Sequence, residues 1–175
     1  MDDLGMGEPV HPEMQRLGNA RGEHVKEPIV AGGDGATPDP ITVQAEANPT
    51  EDPDKVQIAV QRVLGPFPLE KAEINDRTYI RGSSERLEHL SAFQELLRKE
   101  RIRDAARRVL LRGTINDTLT FFLNKQVAYA GHASFCQPEG ESPLGPIRIQ
   151  VRCSNPRKLA EWLAPKTKSK VSQRR

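Results

Sequence analysis

The 175-residue chain has little cysteine, few aromatic side chains and no long apolar run. Its two cysteines, Cys136 and Cys153, are too few for a disulfide framework or a four-ligand zinc site. No stretch reaches the roughly 18 apolar residues that a membrane-spanning helix needs, and no basic-then-apolar secretory signal is visible. These shortages argue against membrane proteins, secreted disulfide scaffolds and zinc fingers. We expect a cytoplasmic globular protein that requires no metal or cofactor.

Charge is distributed unevenly along the chain, although the net charge is only +2. Residues 1–40 hold eight acidic and three basic side chains, with five prolines, seven glycines and no apolar period. We interpret this acidic head as disordered, either a solvated extension, which we favour, or an interaction arm. Residues 166–175 hold five basic side chains and no acid, which predicts a disordered basic tail. Residues 41–165 are expected to form one domain.

The first half of this domain has recognisable element boundaries. Apolar and polar residues alternate over 41–47, which predicts a strand with one buried face. Asp52-Pro53 supplies an N-cap and a first-turn proline for a helix that ends at Gly65-Pro66. Residues 69–81 predict one or two extended segments around Asn75-Asp76. The core positions expected from that stretch are Ile74, Tyr79 and Ile80.

Two apolar sets follow, and they predict two helices. Ser84 is a candidate cap for the first, with Glu85 in its first turn. The two sets are rotated from each other by roughly 130° on a helical wheel, so one straight helix would face two directions. We therefore predict a break near 98–101 and an end at Gly113. The first set is Leu87, Leu90, Phe93, Leu96 and Leu97, and the second is Ile102, Ala105, Ala106, Val109 and Leu110.

The second half of the domain reads as strands with one final helix. Residues 118–123 alternate, 127–136 are predicted to be extended with Gly131 inside, and 147–153 form the clearest strand. Asn155-Pro156 repeats the cap-plus-proline pattern before a short helix that is anchored by Leu159, Trp162 and Leu163. Strands with polar outward faces and helices between them indicate an α+β fold. We predict a two-layer sandwich, a mostly antiparallel sheet with helices packed on one face.

The strongest functional signal is the run 98–112, with seven basic and two acidic side chains. At four-residue spacing, Glu95 can pair with Lys99 and Asp104 with Arg108, which still leaves a positive surplus. Arginine forks suit phosphate oxygens, so the run predicts contact with nucleic acid, while an acidic protein partner is the alternative. The candidate RNA-binding residues in this run are Arg98, Lys99, Arg101, Arg103, Arg107, Arg108 and Arg112.

Three smaller features bear on function. Arg148, Gln150 and Arg152 share the outward face of their strand, where they could follow a nucleic-acid backbone. Only eight aromatic side chains exist, and Phe93, Phe121 and Trp162 are expected in the core, so we predict backbone recognition more than base reading.

Asn124, Lys125 and Gln126 could bind RNA or a ligand, or form a helical turn at 125–129 capped by Asn124.

Five separated runs stand out along the domain: 48–53, 107–113, 122–131, 143–147 and 162–165. Together they resemble one archaeal protein family that has no established activity. The resemblance spans about residues 41–165 and implies an RNA-binding protein associated with RNA processing or degradation, as an exosome subunit. It also implies a fold similar to the large-subunit ribosomal protein that binds the smallest ribosomal RNA.

Three hypotheses result. The leading one is a non-catalytic RNA-binding module whose partners are RNA and RNA-processing or ribosome-related proteins, with no membrane. The second is a protein-interaction subunit whose arginine-rich helix binds an acidic partner. The third is an enzyme, for which the candidate residues are Asn124, Lys125, His132 and Cys136. It is the weakest, because His132 and Cys136 lack a visible third group to orient a nucleophile pair.

Overall fold

The computed structural model of the protein describes residues 41–167, so the predictions for the head and for Lys168 onward lie outside the described part. Its elements in chain order are β1 (Ile41–Ala47), α1 (Pro53–Leu64), β2 (Glu70–Ile74), β3 (Arg77–Ser84), a 3₁₀ turn (Leu87–Leu90), α2 (Ser91–Lys99), α3 (Arg103–Arg112), β4 (Thr114–Ile115), β5 (Thr118–Asn124), α4 (Lys125–Tyr129), β6 (Pro146–Arg152) and α5 (Pro156–Leu163).

The six strands form one antiparallel sheet in the order β2-β3-β1-β6-β5-β4. Alternate residues of the three central strands are buried beneath the helices, as Val43, Phe121 and Ile149 are. Their neighbours Gln44, Phe122 and Arg148 point to the opposite face, away from the described helices, and they are only half-buried. This arrangement confirms the predicted α+β sandwich, in which hydrophobic burial on one face holds the two layers together.

The predicted helix starts in α1 and α5 are confirmed. The Asp52 side chain accepts a hydrogen bond from the Asp54 amide at 3.0 Å, and Pro53 is the first residue of α1. Asn155 caps α5 in the same way, accepting from the Lys158 amide at 3.0 Å. Gly65 ends α1 with a φ of 74°, a conformation that glycine adopts without a steric penalty.

The predicted break between two helices is also confirmed, and it falls at Arg101. Arg101 has a φ of 59°, so α2 stops before it and α3 starts after it in a new direction. Phe93 of α2 stacks on Phe121 of β5 with ring centroids 5.3 Å apart, while α3 buries Ala106 and Leu110. Gly113 ends α3 where a Cβ would stand 2.0 Å from the carbonyl oxygen of Thr120, so no larger residue fits without a shift.

Several local predictions were wrong. Residues 127–136 are not an extended segment, because 125–129 form α4, and Phe135 makes only an isolated bridge to Leu123. Ser84 ends β3 instead of capping a helix, since its hydroxyl accepts from the Arg86 amide in a turn at 3.1 Å. Four residues assigned to the core are exposed instead: Ile74, Leu87, Ala105 and Trp162.

The predicted extended segments around Asn75-Asp76 are the β2–β3 hairpin. Asn75 and Asp76 have φ values of 50° and 58°, which is the conformation of a tight two-residue turn matched to the twist of the strands. Ile80 is buried at the centre of this hairpin, as expected, and Tyr79 is half-buried. Ile74 is 37% exposed, because it ends β2, which lies at the edge of the sheet.

Candidate nucleic-acid interface

The α2–α3 corner carries five basic side chains that have no ion-pair partner within residues 41–167; four of them are exposed and Arg103 is half-buried. Burial of Ala106 and Leu110 fixes the orientation of α3 and turns Arg108 and Arg112 outward. Because their neighbours do not neutralise them, these groups give the corner a local positive potential. We call this group the basic surface, and its members are Lys99, Arg101, Arg103, Arg108 and Arg112.

Two of the seven predicted basic residues are engaged in ion pairs. The Nη2 atom of Arg98 lies 2.6 Å from Oε2 of Glu95, and both side chains are well exposed, so this pair adds little stability. The Nη2 atom of Arg107 lies 2.8 Å from Oε1 of Glu161 on α5, and only 15% of its side chain is exposed. Arg107 therefore ties α3 to α5, and its guanidinium is less available to a ligand than that of Arg108.

The acidic residues near the corner bind partners other than the predicted ones. Glu95 pairs with Arg98 and not with Lys99, while Oδ1 of Asp104 accepts from the Thr167 amide at 3.4 Å and not from Arg108. Glu100 holds the loop after α4, since its carboxylate meets His132 Nδ1 at 2.8 Å and accepts from the Ala133 amide at 3.1 Å. The positive surplus predicted from the sequence therefore persists on the basic surface.

Arg101 lies at the apex of the corner in a left-handed backbone conformation. The other non-glycine residues with positive φ between 41 and 167 are Asn or Asp, whose side chains tolerate that region. An arginine there costs about 1–2 kcal/mol relative to the right-handed conformation. The bend between α2 and α3 is thus made by a residue whose backbone is strained and whose guanidinium is exposed.

Arg148, Gln150 and Arg152 lie on a different layer from the basic surface. Arg148 stands on the open face of the sheet, between Gln44 and Phe122 in register, and its Nη2 donates to Oε1 of Gln150 at 3.4 Å. Its Nε is buried without a hydrogen-bond partner in the described chain, and burial lowers the pKa of the guanidinium from its ordinary value. The structure therefore does not bring the predicted RNA-binding residues together on one face.

The run Asn124-Lys125-Gln126 forms the start of α4. Asn124 Oδ1 accepts from the amides of Gln126 and Val127 at 3.0 and 3.1 Å. The run therefore forms the helical turn capped by Asn124, which was one of its two interpretations. Lys125 is only 3% exposed, which removes it from any RNA surface. Gln126 is exposed on α4, which packs against α1.

A buried ion pair explains the position of Lys125. Its Nζ donates to Oε2 of Glu51 at 2.7 Å and to the carbonyl oxygen of Glu46. The same Glu51 oxygen accepts from the backbone and side-chain nitrogens of Asn48, whose side-chain amide also donates to the Leu144 carbonyl oxygen at 2.8 Å. One network thus joins the loop before α1, the first residue of α4 and the loop before β6, which lie in three of the runs that carry the family resemblance.

Sequence reasoning missed Glu51 and Glu161 as ion-pair partners. A lysine among apolar residues signals that an acid must lie nearby, because an unpaired buried charge is costly. The sequence contains 24 acidic residues, however, and nothing local selects Glu51, which is 74 positions from Lys125. The same holds for Glu161, which is 54 positions from Arg107.

The residues proposed for catalysis do not form a reactive group. Asn124 and Lys125 serve the helix cap and the buried pair, and His132 meets Glu100. Burial, together with the charge of Glu141, raises the pKa of the Cys136 thiol, which disfavours the nucleophilic thiolate. Residues 41–167 hold no group of three or more His, Cys, Asp or Glu side chains that could share a metal ion. In the same part of the chain no helix has the length and apolarity to cross a membrane.

Comparisons with known proteins agree with this fold. A family model described as RNA binding matches residues 40–153. A UPF0201 protein of Metallosphaera sedula is 44% identical over 127 residues, which cover 73% of this chain and 88% of that protein. A UPF0201 protein of Aeropyrum pernix is 43% identical over 128 residues, which cover 73% of this chain and 85% of that protein. The crystal structure of the Methanococcus jannaschii UPF0201 protein superposes with a TM-score of 0.64 at 32% identity, covering 74% of this chain and 95% of that one. The chain therefore belongs to the UPF0201 family, which is found in archaea.

Proposed function

We propose that the protein is a non-catalytic RNA-binding protein that contacts the RNA backbone through the basic surface. The observation that carries the proposal is the set of five basic side chains that find no ion-pair partner among residues 41–167, at a corner held by the packed helices α2 and α3. Arginine forks match phosphate oxygens, and each phosphate contact releases condensed counterions. The description of the matching family model as RNA binding supports the same function.

Contacts of this kind position RNA without reading its sequence. The basic surface carries no aromatic side chain on which bases could stack, so its affinity is expected to vary little among RNAs of similar length. Arg107 acts as a positioning residue, because its bond to Glu161 fixes α3 against α5. Arg98 lies beside the surface, where Glu95 pairs with its charge.

The sequence motifs extend the proposal to a cellular role and to a structural relationship. Their resemblance points to RNA processing or degradation, in which this chain would serve as an exosome subunit. It also points to kinship with the large-subunit ribosomal protein that binds the smallest ribosomal RNA. Partners that copurify with the protein and are lost after ribonuclease treatment would support RNA as the direct ligand, whereas partners that persist would favour the acidic-protein alternative.

Arg101→Gly tests the proposal without damaging the fold. Glycine relieves the left-handed backbone, so the free energy of unfolding is expected to rise by about 1 kcal/mol. Loss of the guanidinium is expected to weaken binding to a mixed-sequence RNA roughly fivefold at low salt, because one phosphate contact disappears. The measurements are a urea unfolding curve and a filter-binding titration.

Asn75→Gly is the matched control. It relieves a φ of 50° in the β2–β3 turn and changes no charge, so RNA affinity should equal that of the parent protein. Equal affinity for Arg101→Gly and the parent would remove the corner from the RNA surface. A parent protein that binds no RNA at low salt would overturn the proposed function itself.

A further inference from the structure

A groove of about 420 Å³ lies between α5 and the segment formed by the 3₁₀ turn and the start of α2. Its walls carry two of the large exposed hydrophobic side chains, Leu87 and Trp162, which are 38% and 40% exposed. The volume falls within the range of pockets that hold small ligands. The backbone of this wall is fixed, since the side-chain amide of Gln94 donates to the Trp162 carbonyl oxygen at 2.5 Å.

Polar groups surround the apolar floor of the groove. Ser91 and Asn155 line it. Asn155 caps α5 through its Oδ1, which leaves its side-chain NH₂ group available as a donor. The Lys158 ammonium has no ion pair within residues 41–167, and it lies on the α5 wall, whereas Glu88 lies on the opposite wall. An aromatic ring, hydrogen-bond donors and one cation are the groups that hold an unpaired nucleobase and its phosphate.

We propose that this groove receives an unpaired base of an RNA strand whose phosphates lie along the basic surface. The inference rests on the proposed function and adds a single-stranded substrate class to it. Helix α5 connects the two places, because its Glu161 bonds Arg107 of α3 while its Lys158 and Trp162 line the groove. Arg157, exposed on the same helix one turn before Glu161, adds a further positive charge to α5. A base turned across α5 stacks on the indole ring, and its phosphate meets Lys158.

The dimensions favour a base over a second copy of the chain. Leu87 and Trp162 together expose on the order of 150 Å² of side chain, against the roughly 800 Å² per partner that a stable dimer interface buries. The groove is also concave and lined by a lysine and a glutamate on facing walls, which suits a small polar aromatic ligand. The arginines of α3 that have no ion-pair partner in the described chain favour a ligand that is part of a negatively charged RNA strand.

The test uses Trp162, the single tryptophan of the chain, as its own probe. The full-length protein is titrated at low salt with a single-stranded RNA and with a duplex of the same length, and both filter binding and tryptophan fluorescence are recorded. The single strand is expected to quench the fluorescence as it binds, since a base stacks on the indole. The duplex is expected to bind without quenching, because its bases stay stacked within the helix.

Trp162→Leu is expected to lose about tenfold in affinity for the single strand, as for one base–aromatic stack, and to keep its affinity for the duplex. Ile74→Ala is the control, because it removes a comparably exposed apolar side chain, 37% exposed, from the far edge of the sheet. Two results would overturn this inference and leave the proposed function standing. One is binding of the single strand without quenching, and the other is an equal affinity of Trp162→Leu and the parent protein for the single strand. A dimer in sedimentation equilibrium that Trp162→Leu dissociates would also overturn it. No binding of either RNA would defeat the proposed function as well.

Discussion

Lys125→Ala is expected to lower the free energy of unfolding by about 3–5 kcal/mol, because it leaves the carboxylate of Glu51 in a buried site without its cation. The side chains of Lys125 and Glu51 are 3% and 13% exposed, so water cannot replace the lost partner fully. The same change removes the two bonds that tie α4 to Glu51 and to the Glu46 carbonyl oxygen. Urea unfolding followed by circular dichroism measures the effect.

Two further variants show whether the buried charge is the cause. Lys125→Met combined with Glu51→Gln removes both charges and keeps similar volumes, so it should recover at least half of the lost stability. Gln126→Ala changes the exposed neighbour on α4 and should stay within about 0.5 kcal/mol of the parent. If Lys125→Ala costs less than about 1 kcal/mol, the network does not hold these loops and this account of Lys125 is wrong.

Arg108→Gln combined with Arg112→Gln is expected to produce the largest loss of RNA affinity. Both side chains are exposed on α3 and neither has an ion-pair partner in the described chain, so the fold should retain its stability. If each contacts one phosphate, the slope of log K against log salt should become less steep by about 1.4 for single strands and 1.8 for duplexes. Arg107 is left intact, because replacing it would also break its bond to Glu161.

Lys71→Gln combined with Arg77→Gln gives the matched control for this double variant. It removes the same number of positive charges from the β2–β3 hairpin at the other edge of the sheet, where Arg77 pairs with Glu46 at 3.1 Å on an exposed surface. Binding through the basic surface predicts a nearly unchanged salt slope in this control. Equal losses in both double variants would mean that only net charge matters. An unchanged slope in a folded Arg108/Arg112 variant would exclude α3 as the contact.

The sequence predicted those elements whose boundaries depend on neighbouring residues. The Asp52-Pro53 and Asn155-Pro156 pairs locate two helix starts, because cap and proline act within one turn. The change of helical phase after α2 predicts the break at Arg101. Helix α4 was predicted as strand in one interpretation because a five-residue helix is too short to show a 3.6-residue period. Trp162 was placed in the core because nothing in the neighbouring sequence shows that its side of α5 faces away from the rest of the domain.

The candidate site was predictable in composition but not in arrangement. An excess of basic residues in α2 and α3 is visible from the sequence, yet the consecutive Arg107 and Arg108 differ because Glu161 reaches only the first. Arg148 is separated from this surface by the sheet itself, which only strand order and register reveal. Lys125 is buried because it pairs with Glu51, which lies in the loop between β1 and α1. Long-range contacts decide which charges remain available to a ligand.

The affinity of the parent protein for a mixed-sequence RNA, measured by filter binding across a range of salt concentrations, tests the central claim most directly. Five phosphate contacts through the basic surface predict a straight line of log K against log salt with a slope of about −4, and similar affinities for unrelated sequences. A slope near zero, or no RNA binding at low salt by a protein that still unfolds cooperatively, would contradict the account.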